Sequence, residues 1–244
     1  MWKSIIYDNG QFESYSFEHI IALIVCAIVT FLLFYMGRTQ WNEEKARGVI
    51  TIVLSIGMFL QLIKPVIRSI LGTFDPTDDF PFHLCNVMAV FMPFIIYFKW
   101  RTFWGIAFFW VIAGTFQALF TPTLTESFPH YEYFRYWVIH ASLPVAAVFA
   151  MMIYKWSITW RDMVHSMIAL NVFALVVTPV NLMLNGNYLY LRAKPPGDTL
   201  YNFLGPWPYY ILSLEVVMFL LFGLLLLIFN PELIMTYFRK GKRV

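Results

Sequence analysis

The stretch of the chain best suited to chemistry runs from Asp78 to Asn86 and reads Asp-Asp-Phe-Pro-Phe-His-Leu-Cys-Asn. Pro81 favours the first turn of a helix, because the N–H that proline lacks has no partner there. The unpaired backbone N–H groups that follow carry the positive end of the helix dipole, and they can stabilise a thiolate or an oxyanion. Cys85 is therefore a candidate nucleophile.

A nucleophilic cysteine needs a base, and two histidines are candidates for places near Cys85. His83 is two residues away, about 200° around a helix, so it cannot face the thiol but can line the site. His140 is predicted at a suitable depth in another segment, which makes it the candidate base. The competing interpretation is that Cys85 is a small buried packing residue, the commoner role of a lone cysteine.

A metal site is the next alternative, formed by His83, Cys85, His140 and Glu215. Zinc accepts these side chains as ligands. The sequence has no His-x-x-x-His or His-Glu-x-x-His spacing that would indicate such a site. We therefore predict neither a metal nor another cofactor.

The composition places these residues in a membrane. The chain has 244 residues, of which 60% are hydrophobic and only 13% are charged, whereas a soluble domain has about 25% charged residues. This balance excludes a soluble enzyme and a disordered chain, and two cysteines exclude a disulfide scaffold. A net charge of +3 is too small for a nucleic-acid binder.

The sequence predicts an all-α polytopic bundle in one domain, residues 1–244. A segment of about 20 apolar residues is long enough to cross the hydrocarbon layer. Seven segments approach this length, and the third is the shortest. They are 17–37, 48–71, 82–98, 102–120, 134–154, 162–184 and 209–229.

The basic residues predict how the bundle is oriented. The segments 38–47, 99–101 and 155–161, with the tail after residue 230, contain eleven Lys and Arg residues, against three on the opposite side. By the positive-inside rule, we expect the N-terminus outside and the C-terminus in the cytoplasm of a multi-pass cell-membrane protein. The basic tail is expected to contact anionic lipid; it contains Arg239, Lys240, Lys242 and Arg243.

With this orientation, six of the seven segments place polar residues in the outer half of the membrane. Such residues usually face inward and mark a functional site. We therefore predict an outward-facing polar cavity, with the loop 185–208 as its lid or as an interfacial aromatic belt. The predicted substrate-binding residues are Lys64, Arg68, Gln117, Asn181, Asn185 and Glu215.

Structural roles remain open for several of these polar residues. Gln61, Gln117 and Asn171 can form interhelical hydrogen bonds without any ligand. Lys64 and Arg68 can extend to the outer headgroups. Glu215 is expected to pair with one of these two cations.

Three motifs resemble the YwaF-type family of bacterial integral membrane proteins. They are Pro81-x-His83-Leu84-Cys85, Arg135-Tyr136-Trp137-x-x-His140, and the stretch from Asn181 to Pro208 that ends in Leu-Gly-Pro-Trp-Pro. That family is similar to a eukaryotic multispanning protein implicated in acyl transfer to ether lysophospholipids, which itself resembles intramembrane threonine hydrolases of fatty-acid esters. The resemblance implies a helical bundle in which Cys85 is the nucleophile, His140 is its base and His83 lines the site.

The favoured hypothesis is a lipid acyltransferase or acyl-ester hydrolase that acts at the outer leaflet. Its partner would be a membrane phospholipid or lysophospholipid, and we expect no nucleic acid. The alternative is a transporter or sensor that binds an amphipathic anionic ligand near Lys64 and Arg68, although inverted repeats are not visible. A third possibility is a structural protein that assists a partner.

Overall fold

The computed structural model describes residues 5–6, 10–195 and 200–231, and it confirms an all-helical bundle. The basic tail after residue 231 lies outside the described residues. Within them there are seven α-helices and no strand. The helices are α1 (Phe17–Thr39), α2 (Glu43–Leu71), α3 (Leu84–Tyr97), α4 (Arg101–Trp110), α5 (Tyr131–Tyr154), α6 (Trp160–Leu184) and α7 (Tyr209–Phe229). Helix α4 continues as a π-helical turn, Val111–Thr115, and a 3-10 turn, Phe116–Leu119.

Among the described residues, six helices are long and apolar enough to cross a membrane, counting α4 with its two continuing turns. The third predicted segment, 82–98, is the exception. Its helix α3 has 14 residues, which at about 1.5 Å per residue is shorter than the hydrocarbon layer. The helix begins at Leu84 because His83 has an extended backbone, with φ −73° and ψ 146°.

Side-chain caps fix the start of several helices. The side chain of Asn42 accepts a hydrogen bond from Lys45 N–H at the start of α2. Thr159 and Asp162 form a reciprocal capping box at the start of α6. Such caps satisfy backbone donors that a helix leaves unpaired.

Helix α5 lies at the centre of the bundle. Of its most apolar stretch of 18 residues, 61% are buried, whereas 11% are buried in the corresponding stretches of α1, α6 and α7. Helix α2 packs against α3 and α5, and Trp104 and Phe108 of α4 are completely buried in the same core. The outer helices leave broad apolar faces exposed, as expected for contact with lipid.

The bundle has two ends with different connections. One end carries the segments 72–83, 120–130, 185–195 and 200–208, and we call it the loop-rich end. The other end carries the short connections 40–42, 98–100 and 155–159, and we call it the tight-turn end. The candidate residues Lys64, Arg68, His83 and Cys85 all lie toward the loop-rich end.

Candidate functional site

Two cations of α2 are held by two aspartates of the loop that follows it. Lys64 Nζ lies 3.0 Å from Asp78 Oδ2 and 3.1 Å from Asp79 Oδ1. Arg68 Nε lies 2.9 Å from Asp79 Oδ2. The side chain of Asp79 is fully buried and that of Lys64 is 5% exposed. Lys64 and Arg68 therefore turn toward these carboxylates rather than toward lipid.

The loop 72–83 folds so that Asp79 reaches these cations. The N–H of Asp75 donates to Asp79 Oδ2 at 2.7 Å. Tyr188, fully buried, donates from its hydroxyl to Pro76 O at 2.8 Å and accepts from Phe80 N–H at 3.1 Å. Contacts between distant segments thus hold the loop against the end of α2.

Arg135 forms a second buried polar group one turn into α5. Its Nε donates to Glu132 Oε2 at 2.7 Å and its Nη1 donates to Gln61 Oε1 at 2.8 Å. Arg135 is 8% exposed, and Gln61 is 1% exposed. The i, i+3 pair of Glu132 and Arg135 neutralises a guanidinium that would otherwise be costly to bury.

Cys85 lies in the first turn of α3, beside these charged groups. Its thiol is free and half-buried, and it contacts Asn86 Oδ1 at 3.6 Å. Arg135 and Lys64 act electrostatically on the thiol, and so do Tyr136 and Tyr190. Helix α3, which carries Cys85 in its first turn, packs against both α2 and α5.

His140 is buried on α5, with its imidazole fixed in orientation. Its Nδ1 lies 2.8 Å from the carbonyl oxygen of Tyr136, and its ring stacks on the Tyr136 ring at 4.0 Å between centroids. Because a carbonyl oxygen only accepts, Nδ1 must carry the proton. In the neutral imidazole Nε2 then has a free lone pair, and it makes no hydrogen bond with a described residue.

Cys85 and His140 are not hydrogen-bonded to each other, since the thiol contacts Asn86 and the imidazole contacts Tyr136. Tyr136 links their surroundings, because its ring stacks on His140 and its phenol interacts electrostatically with Cys85. The Tyr136 hydroxyl donates to Ala118 O at 2.8 Å, which fixes the ring.

His83 packs beside aromatic rings at the entrance to α3. Its ring lies 5.3 Å from those of Tyr188 and Tyr190, measured between centroids. Its Nε2 lies 3.9 Å from Asp78 Oδ1. Burial lowers the pKa of His83, and although the carboxylate of Asp78 raises it, the pKa stays below its ordinary value. His83 is therefore neutral at pH 7.

The remaining predicted substrate-binding residues do not join this cluster. The amide of Asn181 is used by the backbone of Tyr188, with hydrogen bonds of 2.9 and 2.7 Å. Asn185 accepts from Arg192 Nη1 at 2.9 Å, and Gln117 is exposed on the turn that extends α4.

The expected pairing of Glu215 with a cation of α2 is wrong. Its Oε2 accepts from Asn171 Nδ2 at 3.2 Å, in a contact between α6 and α7. Lys64 and Arg68 have Asp78 and Asp79 as partners instead.

A cavity of about 30 Å³ lies between the end of α2 and the start of α5. Its polar lining consists of Arg68, Thr73, His130, Tyr131 and Glu132. Arg68 is thus the predicted substrate-binding residue that lines this cavity, and Cys85 does not line it. In the part of the chain that the structure describes, no group of three or more His, Cys, Asp or Glu side chains is placed to bind a metal ion.

Sequence reasoning missed the partners that complete the cluster. Asp78 and Asp79 were noted beside the candidate cysteine, but not as partners of Lys64 and Arg68. The i, i+3 spacing of Glu132 and Arg135 is a signal that indicates an ion pair on one helix face. No comparable signal connects Gln61 with α5.

Comparison with known proteins identifies the family of this chain. The sequence pattern of the TMEM164 family matches residues 14–226. The chain belongs to the TMEM164 family. It is a multi-pass membrane protein of that family, whose matched region includes every helix except the last three residues of α7.

One relative is also similar to most of the chain. An uncharacterized protein of Treponema pallidum (strain Nichols) is 25% identical over 194 residues, which cover 77% of this chain and 78% of the relative. No solved structure matches the chain.

Proposed function

We propose that this TMEM164-family protein is a lipid acyltransferase or acyl-ester hydrolase that acts at the outer leaflet through Cys85 and His140. The observation that carries the proposal is the fixed orientation of His140, whose Nε2 lone pair is free. A general base for a thiol needs such a nitrogen. Cys85 lies in the first turn of α3, a helix that packs against α5, which carries His140.

The reaction needs two transfers of the acyl group. In the first, Nε2 of His140 takes the thiol proton, the Cys85 sulfur attacks the ester carbonyl, and the leaving alcohol receives that proton. In the second, a lysolipid hydroxyl or water attacks the thioester and gives its proton to Nε2, which returns it to the departing thiolate. Each step conserves atoms and charge, and the cysteine is regenerated.

Cys85 and His140 must approach each other for the first proton transfer. Catalytic hydrogen bonds are often long or absent without substrate and shorten when it binds. The hydrogen bond of the Cys85 thiol to Asn86 Oδ1, at 3.6 Å, is weak, so the thiol can leave it at little cost in free energy. In the proposal, the acyl ester enters beside Cys85 and its binding brings the thiol to Nε2.

The transporter or sensor hypothesis has less support. It requires Lys64 and Arg68 to attract an anionic ligand. Their charges are already balanced by Asp78 and Asp79, one of which is fully buried. A second anion in this place would meet two carboxylates.

Two matched pairs of variants test the proposal. The full chain in lipid nanodiscs is incubated with an alkyne-tagged fatty-acyl ester, and the covalent label is read by mass spectrometry and by its sensitivity to hydroxylamine. We expect Cys85→Ala to abolish the thioester label and His140→Ala to reduce it at least 100-fold, on the scale that an essential base supplies. Cys26→Ala and His165→Ala are the controls; Cys26 is the other free thiol and His165 is exposed.

The outcome separates chemistry from packing. A label that persists in Cys85→Ala contradicts the proposed nucleophile. Equal labelling of His140→Ala and His165→Ala contradicts the proposed base.

The assignment to the outer leaflet has its own test. In a Cys26→Ala/Cys85→Ala background, Arg192→Cys and Lys155→Cys each place one thiol at opposite ends of the bundle. A membrane-impermeant maleimide added to intact cells should label the first variant and spare the second. The reverse pattern would place the site at the inner leaflet.

A further inference from the structure

The side-chain amide of Gln61 is buried and has only half of its hydrogen bonds. Its Oε1 accepts from Arg135 Nη1 at 2.8 Å. A guanidinium only donates, so the atom facing Arg135 must be the oxygen, which settles the orientation of the amide. The amide nitrogen Nε2 has no hydrogen-bond partner, and Gln61 is 1% exposed. A buried donor without an acceptor is costly and calls for an explanation.

The position of this amide relative to α5 follows from the packing of α2. Gly57, one turn before Gln61, faces Val138 and Ile139, because a Cβ placed there would lie 3.7 and 3.6 Å from their side chains. One turn further along α2, Gln61 reaches Arg135. The amide thus lies about one and a half helical turns from the level of His140, because Arg135 precedes His140 by five residues.

The same part of α2 borders Cys85. Lys64 follows Gln61 by three residues on the same helix face, and it acts electrostatically on the Cys85 thiol. Arg135, which holds the oxygen of Gln61, acts on the same thiol. Asp78 accepts from Lys64 Nζ at 3.0 Å and lies 3.9 Å from Nε2 of His83, two residues before Cys85, so the start of α3 lies beside this part of α2.

The backbone of α2 is also incompletely paired at this turn. Pro65 has no N–H to donate to the carbonyl oxygen of Gln61, four residues earlier. The neighbouring carbonyl, that of Leu60, accepts a hydrogen bond from the Tyr131 hydroxyl of α5. Side chains of α5 therefore contact α2 at the same turn that carries the unpaired amide nitrogen of Gln61.

We propose that Nε2 of Gln61 donates a hydrogen bond to the carbonyl oxygen of the acyl group while it is transferred to Cys85. This inference rests on the proposed function and adds the group that stabilises the developing negative charge. As the sulfur–carbon bond forms, the carbonyl π electrons move to the oxygen, which accepts from Nε2. As the bond to the leaving alcohol breaks, the electrons return and the carbonyl is restored in the thioester.

An ester carbonyl can supply the hydrogen-bond acceptor that Nε2 of Gln61 lacks. An ester carbonyl accepts hydrogen bonds and donates none, so it complements an amide N–H that lacks an acceptor. A donor placed in a water-poor site is most effective where charge develops in the transition state. Arg135 keeps the amide from rotating, so the donor is oriented before substrate arrives.

The experiment compares two reactions of the same thiol. In the full chain carrying Cys26→Ala, Cys85 is acylated by p-nitrophenyl decanoate, which forms an oxyanion, or alkylated by iodoacetamide, which forms none. We expect Gln61→Met to slow acylation about 100-fold, the typical loss of one oxyanion donor, with alkylation unchanged within about twofold. Gln40→Met, at an exposed glutamine at the end of α1, should change neither rate.

A second variant guards against misfolding. Gln61→Glu keeps an oxygen for Arg135 and removes the donor, so it should show the same selective loss. Acylation at the parent rate in either folded variant overturns the inference while leaving the Cys85 mechanism standing. Loss of folding in both variants, seen as rapid alkylation without acylation, would assign Gln61 a structural role and also overturn it. If the parent itself forms no acyl-Cys85, both proposals fail.

Discussion

The two ends of the bundle both bury ion pairs, but they satisfy them differently. At the tight-turn end, Arg101 donates to Asp162 through two nitrogens, at 3.0 and 2.8 Å, and Asp162 Oδ2 also accepts from Thr159 N–H and hydroxyl. At the loop-rich end, Gln61 Nε2 and His130 Nε2 are buried without a hydrogen-bond partner. At the tight-turn end, which we call the clamp, the carboxylate of Asp162 has several hydrogen-bond donors as partners. At the loop-rich end, two buried side-chain nitrogens have no partner.

The side chains at the tight-turn end are closely packed. Gly105 shows how tightly the clamp is closed, because a Cβ at this position would lie 2.2 Å from Asp162 Oδ1. At the loop-rich end, the thiol of Cys85 is half-buried and its hydrogen bond to Asn86, at 3.6 Å, is weak. Unpaired buried donors cost free energy, so a fold retains them where a ligand uses them.

The largest expected effect comes from the buried carboxylate of the loop-rich end. Asp79→Asn leaves Lys64 and Arg68 without their shared anion. Removing one partner of a buried ion pair costs about 3–5 kcal/mol, and we expect an unfolding free energy lower by that amount in a denaturant titration. The conformation of the loop 72–83 should change as well, because Asp79 also accepts from Asp75 N–H. A loss below about 1 kcal/mol would mean that this end is not held by the ion pairs.

The helices of this protein were predictable because each is an apolar run of sufficient length. The predicted last segment, 209–229, coincides with α7, and most other ends agree within a few residues. Helix α5 begins at Tyr131 rather than at 134 because the side chain of His130 accepts from Glu132 N–H and caps it. Helix α3 is shorter than predicted because His83 stays extended.

The site was only partly predictable. The i, i+3, i+7 spacing of Gln61, Lys64 and Arg68 indicates one stripe of a helix, and all three side chains have polar partners in the structure. Their partners depend on contacts far apart in sequence, such as Tyr188 under the loop 72–83. The same applies to Glu215, whose partner Asn171 is on another helix. One sequence contains no signal for such pairings.

The second prediction concerns the clamp at the tight-turn end. Asp162→Asn removes the charge from the bond with Arg101, whose side chain is 33% exposed. Hydrogen bonds to a charged group contribute about 1.5–3 kcal/mol, so we expect a loss of about 2 kcal/mol in the same titration. The acylation rate of Cys85 in the folded fraction should match that of the parent. A selective loss of acylation would erase the distinction between the two ends.

The third prediction is a pH dependence that belongs to the loop-rich end. The pKa of His83 is lowered by burial in the folded protein, whereas in the unfolded chain it is about 6.5. As the pH falls below that value, the unfolded chain binds a proton that the folded protein refuses, so stability is lost toward acid. The slope is at most about 1.4 kcal/mol per pH unit for one group. In His83→Phe, the denaturation midpoint should depend less on pH between pH 7.5 and 5.5 than it does in the parent. An unchanged dependence would contradict a buried neutral imidazole at position 83.

The smallest expected effect comes from an exposed ion pair at the tight-turn end. Lys99 and Glu43 form an ion pair there, but their side chains are 41% and 51% exposed. Exposed pairs contribute little because water and salt screen them and because ordering two long side chains costs entropy. Glu43→Gln should therefore change the unfolding free energy by less than about 0.5 kcal/mol. If the loss matched that of Asp79→Asn instead, the number of ion pairs rather than their burial would determine how each end is held.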